Sequence, residues 1–119
     1  MKGKSARDKG KKGERFIAEL LTRLSGVKYR RTPLSGGLRL EFPFDVLKIG
    51  NEPSRFDGVG IEVKNTANLS IPDWIRQIKG ECEDAGYASF SSKWCIAFRH
   101  KTEWYFLLNQ NYFEHLNKN

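Results

Sequence analysis

The sequence predicts a mixed α/β domain in which helices cover a central β-sheet. Two stretches carry apolar residues at helical spacing: Ile17, Leu20, Leu21 and Leu24, then Trp74, Ile75, Ile78, Cys82 and Ala85. Around them lie short runs rich in aromatic and β-branched residues, bounded by Gly, Pro and Asn. The resulting order is helix, strand, strand, strand, helix, strand, strand, helix (αβββαββα), which buries its apolar faces when helices flank a sheet. At 119 residues the chain suits one domain and needs no disulfide or metal to hold a core. Hydrophobic residues at 39% and aromatics at 13% exclude a disordered polymer. No apolar run approaches the ~18–20 residues of a membrane span, and no apolar stretch follows the basic start as a secretory signal requires.

The elements follow in order. From Arg7 the pattern is helical, although Gly10 and Gly13 weaken the first turns. Residues 1–12 are expected to form a flexible basic arm ahead of a single domain at 13–119. Ser25-Gly26 closes the helix. Val27–Arg31 is strand-like, and Thr32-Pro33-Leu34-Ser35-Gly36-Gly37 is a loop by its breakers. Phe44–Ile49 reads as a strand with Phe44, Val46 and Lys48 on one face and Asp45, Leu47 and Ile49 on the other. Gly50–Gly58 is a turn and Val59–Asn65 the next strand, and the two strands are expected to pair as an antiparallel hairpin. Ile71-Pro72 opens a helix running to Gly86, with Pro72 in its tolerated first turn. Lys93–His100 and Glu103–Leu108 are strands joined at Lys101-Thr102, and Gln110–Leu116 is a terminal helix. Trp94, Trp104, Tyr105 and Phe106 make the last hairpin aromatic, as sheet core or as an exposed dimer surface.

The formal charge of +7 is unevenly spread. Residues 1–31 hold 11 Lys/Arg against 3 Asp/Glu, a net +8, and residues 32–119 hold 10 against 11, a net −1. A basic segment this concentrated calls for a polyanion, nucleic acid first and an anionic membrane second, unless it serves only as a solubilising tail. The two cysteines, Cys82 and Cys95, form no Cys-x-x-Cys pair and read as reduced, buried thiols of a cytoplasmic protein. His100 and His115 fit no zinc spacing.

The string Gly60-Ile61-Glu62-Val63-Lys64 carries the most chemistry. Alternation puts Glu62 and Lys64 on one face and Ile61 and Val63 on the apolar other. An acid and an amine on a buried strand cost desolvation free energy, so either the face is solvated or the pair has a task. Asp45, also set among hydrophobes, can approach Glu62 if the two strands pair. Two converging carboxylates suit a hard cation such as Mg²⁺ or Mn²⁺. Asp57 competes for that role, although Asp57-Gly58 is a turn signature that places it at a loop tip. Glu14 lies three, four and seven residues ahead of Ile17, Ala18 and Leu21, in line with the apolar stripe of its helix. It needs a partner there, or it marks a helix start where acids favour the dipole.

Together these residues resemble the PD-(D/E)xK nuclease core: a helix Glu14, then Asp45, then Glu62-Val63-Lys64. The Gly13-Glu14-Arg15 start, the Arg31–Gly37 loop and the helix after the Glu-Val-Lys strand look most like the archaeal and phage Holliday-junction-resolvase branch. The resemblance covers roughly residues 10–100, and it implies a restriction-endonuclease-like core. The family's usual proline directly before the aspartate is Phe44 here, with Pro43 one step back, and the interval from Asp45 to Glu62 is long.

The resemblance implies roles. Asp45 and Glu62, with the Val63 carbonyl, would ligate Mg²⁺, for which Mn²⁺ would substitute. Glu14 would hold a water on the metal or a second ion. Lys64 would position the attacking water and offset charge on the phosphate. Ser35 matches a loop serine that supports catalysis, and Gln77 a helix glutamine near the site. The implied partner is DNA, in the form of a four-way junction cut by a homodimer, with no membrane partner. The expected setting is the cytoplasm, which for a phage-encoded enzyme is the host's. The basic segment, including Lys9, Lys11, Lys12 and Arg15, would grip backbone phosphates. Arg30, Arg31 and Arg39 flank the Ser35-Gly36-Gly37 loop and would reach phosphates or form an ordinary solvated face. Two alternatives stand: a restriction-like or nicking nuclease of the same fold acting on linear DNA, and a basic nucleic-acid-binding protein without catalysis.

Overall fold

The computed structural model describes residues 2–33, 42–84 and 93–118. Helix α1 spans Lys2–Ser25, β1 Tyr29–Arg31, β2 Val46–Lys48 and β3 Gly60–Lys64. Helix α2 spans Ile71–Asp84, β4 Trp94–His100, β5 Glu103–Leu108 and α3 Gln110–Leu116. The order is the expected one, and the α/β architecture is that of a restriction-endonuclease-like core.

Helix α1 starts five residues ahead of the expected Arg7, so residues 2–12 form its first turns. Lys and Arg are good helix formers, and here they outweigh the two glycines. Asn65 Nδ2 also ties this segment down by donating to Lys9 O at 2.9 Å. The helix ends at Gly26, whose φ of +75° is the left-handed conformation that closes helices at low cost. Gly26 N donates to Thr22 O at 2.8 Å, and the Thr22 hydroxyl accepts Tyr29 N at 2.9 Å, joining the helix end to β1.

The expected hairpin between the Asp45 and Glu62 strands does not form. Strand β2 pairs antiparallel with β1 (Arg31↔Val46), and β3 pairs parallel with β4 (Glu62↔Ile96). Strand β5 completes a three-stranded sheet by pairing antiparallel with β4. Where β2 approaches β3, Asp45 N donates to Ile61 O at 3.0 Å, and Val63 N donates to Asp45 Oδ2 at 2.7 Å. A side-chain oxygen thus takes the place of the carbonyl that would continue a ladder. The turn chemistry of residues 50–58 marks a reversal but does not choose the strand's partner.

Two apolar layers sandwich the three-stranded sheet. Ile17 and Leu21 of α1 pack with Ile61, Val63, Cys95 and Ala97. Trp74, Ile78 and Cys82 of α2 pack with Trp94, Ile96 and Phe44 on the other face. Alternation along β3 and β4 therefore decides which helix each residue meets. Both cysteines are buried free thiols, and burial pushes them up to about 11 for Cys82 and about 12 for Cys95. In the aromatic hairpin Trp94 is buried as sheet core, while Tyr105 and Phe106 are more than 40% exposed.

Candidate active site

Asp45 and Glu62 meet at the junction of the two sheets. Fully buried Thr32 fixes the backbone ahead of Asp45: its N–H donates to Asp45 O at 2.8 Å and its hydroxyl to Phe44 O at 2.7 Å. Phe44 lies directly over Gly60, where a Cβ would come within 2.5 Å of its ring. Only a residue without a side chain lets β3 approach this closely. Asp45 is 5% exposed and Glu62 2%.

The side chain of Glu62 points to the α2 face of the sheet. There it meets the carboxyl of Asp45 and, from α2, that of Glu81. Burial first, then the charge of Asp45, push the Glu62 carboxyl well above its ordinary range. Ionised, the three acids are acceptors only, so a contact among them becomes a hydrogen bond only when one carries a proton. Glu62 Oε1 and Glu81 Oε1 are buried with no hydrogen-bond partner. Buried acceptors without donors are costly and mark a place for a proton or a cation. Lys64, two residues on and on the same face as Glu62, donates from Nζ to Gln77 Oε1 at 2.8 Å.

The other expected residues fall as follows. Glu14 accepts from Arg31 Nε at 3.2 Å in a mostly buried ion pair, so Arg31 serves this acid rather than projecting freely to solvent. Arg30 is exposed on β1, and Lys9, Lys12 and Arg15 are exposed on α1, with Lys11 half-buried. Val63 is buried, and its N–H is the donor to Asp45. Asp57 stays in the loop: its carboxylate accepts Ser54 N at 3.0 Å and pairs with Lys48 at 2.8 Å. The hydrogen bond from Lys48 lowers its pKa. Ser35, Gly36 and Arg39 lie outside the described residues.

Sequence patterning does not by itself single out Glu81, although a signal is present. Glu81 lies three residues after Ile78 and seven after Trp74, positions that share the core face of α2. Gln77 lies four residues before Glu81, which puts both polar groups on the flank that meets β3.

Among the described residues, no three acidic, histidine or cysteine side chains close around one point as a complete metal cage. The fit is instead that of a partial oxygen site, with a buried acid pair and an orphaned Oε1. Mg²⁺ favours such sites, since it is usually held by one or two carboxylates and keeps water and phosphate as its other ligands.

An α/β core with a buried Asp–Glu pair where β2 approaches β3, and a lysine two residues after the glutamate, is the arrangement of the restriction-endonuclease-like class. Within that class, residues 5–119 match the family described as “phage putative PDDEXK endonuclease”, and the chain belongs to it. No curated protein and no solved structure matches the chain.

Proposed function

We propose that this nuclease is a metal-dependent endodeoxyribonuclease that hydrolyses phosphodiester bonds in branched DNA, four-way junctions above all, and acts as a homodimer in the host cytoplasm. The observation that carries the metal-dependent reading is the buried Asp45–Glu62 pair, with Glu62 Oε1 lacking a donor and Lys64 two residues away. Two symmetric active sites suit a substrate that is itself two-fold symmetric. Mg²⁺, or Mn²⁺ in its place, would be held by Asp45 and Glu62, with Glu14 and the Val63 carbonyl as further oxygens. When bound, it supplies Lewis acidity at the phosphoryl oxygen and an activated nucleophile.

The chain's own residues do the rest. Asp45, fixed through its backbone and its Oδ2, holds one carboxylate oxygen set in place. Glu62, buried beside it, would present its carboxylate as the second oxygen ligand. Lys64 places a positive charge where negative charge develops on the phosphate, and Gln77 fixes the amine's direction through its Oε1. Arg31 orients Glu14. The cations of α1 attract the phosphate backbone.

Purified protein incubated with a synthetic four-way junction and Mg²⁺ is expected to give paired, symmetric nicks. Glu62→Ala and Lys64→Ala are each expected to lower the rate at least ~100-fold, the scale of losing a group that stabilises the transition state. Linear duplex cut as fast as the junction would replace the resolvase reading with a restriction-like or nicking one. Tight DNA binding with no cleavage by any divalent ion would leave a binding protein.

A further inference from the structure

We propose that the chain carries a binding cleft for an unpaired nucleic-acid strand between the first half of α1 and the β4–β5 turn, with Phe16 as the stacking platform. The inference deepens the nuclease reading by naming a structural element of its substrate, and it rests on that reading for the substrate being DNA.

Two neighbouring hollows make the cleft. One of about 420 Å³ is lined by Lys9, Asn65, Thr66, Arg99, His100 and Lys101. The other, of about 320 Å³, is lined by Lys12, Phe16, Asn65, Arg99 and Trp104, among others. They share Asn65 and Arg99 and so run into one another. No acid lines either hollow among the described residues. Lys9, Lys12, Arg99 and Lys101 are all exposed, and among the described residues none of them forms an ion pair. Four uncompensated cations around one groove are an electrostatic match for a phosphodiester chain.

The aromatic pair decides which kind of strand fits. Phe16 stacks on Trp104 with ring centroids 5.5 Å apart and planes 10° from parallel. Phe16 remains 48% exposed. Trp104 thus backs a half-exposed flat ring that lines a basic groove. A base can stack on that ring only if it has left its own helix, so the platform selects unpaired nucleotides over paired ones. The wall behind it is tight: a Cβ on Gly13 would lie 3.0 Å from Asn65 Cβ and 3.2 Å from Trp104 Cη2. Glycine at this position lets α1 sit close enough for the platform to form. Lys101 presents its charge from the two-residue turn with φ of +60°, a conformation that glycine would adopt more readily. Asn65 directly follows Lys64, so the cleft begins one residue beyond the strand that carries Glu62 and Lys64. A strand leaving a branch point could be held here while the backbone beside it lies at the acids.

The test is fluorescence anisotropy of labelled oligothymidine, a blunt duplex and the same duplex with an unpaired tail, in EDTA so that no cleavage occurs. Phe16→Leu keeps an apolar contact on Trp104 and removes the ring. It is expected to weaken oligothymidine and the tailed duplex about tenfold or more, and the blunt duplex less than twofold. Phe16→Tyr is expected to bind all three as wild type does. Arg99→Ala combined with Lys101→Ala is expected to lower the slope of log affinity against log salt for oligothymidine by about 1.4. Wild-type affinity of Phe16→Leu for oligothymidine, or equal losses on all three substrates, overturns the cleft. Cleavage with Mg²⁺ is followed in parallel. Loss of tail preference in Phe16→Leu together with no cutting by the wild type overturns the nuclease reading and keeps the cleft as a strand-binding site.

Discussion

At the scale of single residues, Glu62 sets the behaviour of the site. Its carboxyl is raised above the ordinary 4.5 by burial and by Asp45, so the folded chain binds that proton more tightly than the unfolded chain does. The stability this contributes is fully present below pH 4.5 and is lost as the pH rises through the raised folded value. Metal-free protein should therefore melt at progressively lower temperature across that interval, and a divalent cation should reverse the trend by replacing the proton. Glu62→Gln, which needs no proton to stay neutral, should flatten the profile. It should also raise metal-free stability at neutral pH by about 1–3 kcal/mol, the scale of relieving an unsatisfied buried group. Melting curves from about pH 4 to 8 with EDTA or Mg²⁺ check this, and a Glu62→Gln protein melting below wild type at neutral pH would contradict it. Sequence alone shows that Glu62, Lys64 and Asp45 are polar groups at core positions. It does not choose between Asp45 and Asp57, because the choice depends on Lys48 and Ser54 engaging Asp57 within its loop. Nor does it raise Glu81, since an acid on a helix is ordinary until the opposing strand residue is known to be an acid too.

At the scale of elements, glycine positions separate close packing from mere permissiveness. Gly60→Ala would drive a Cβ into the fully buried ring of Phe44, next to Asp45, and should cost about 1–3 kcal/mol as overpacking does. A Cβ at Gly10 of α1 would meet nothing within 4 Å, so Gly10→Ala should stabilise by up to about 1 kcal/mol through helix propensity. Urea unfolding of both variants measures the contrast, and a stabilised Gly60→Ala would show that β3 does not need its close approach to Phe44. Elements bounded by clear breakers are legible to the residue: β5 and α3, set off by Lys101-Thr102 and by the N-cap Asn109, fall at Glu103–Leu108 and Gln110–Leu116 as predicted. Pairing is not legible, because a turn between two strands leaves their partners open. The parallel β3–β4 pair depends on α2 as the crossover, a long-range choice that no local pattern encodes.

At the scale of the whole molecule, the surplus charge of residues 1–31 becomes a shape. A 24-residue helix is about 36 Å long at ~1.5 Å per residue, against short dimensions of 30 and 28 Å for the molecule. The basic first turns of α1 therefore carry the surplus charge along an element longer than either short dimension of the molecule. The body itself is two sheets, β1–β2 and β3–β4–β5, and Asp45 joins them through its amide and its carboxylate. The acid proposed to do chemistry is then also a hinge pin, and the two duties have different signatures in hydrogen exchange. Asp45→Asn keeps an oxygen for Val63 N–H, so the amides of β1 and β2 should exchange as in wild type although the charge is gone. Asp45→Ala removes the pin, and those amides should exchange faster than the amides of β4, the two sheets opening as separate cooperative units. Equal acceleration in both sheets would mean that the sheets unfold together without it. A loss of activity in Asp45→Ala alone would thus mix a lost carboxylate with a loosened joint, and only the asparagine variant reports the chemistry by itself.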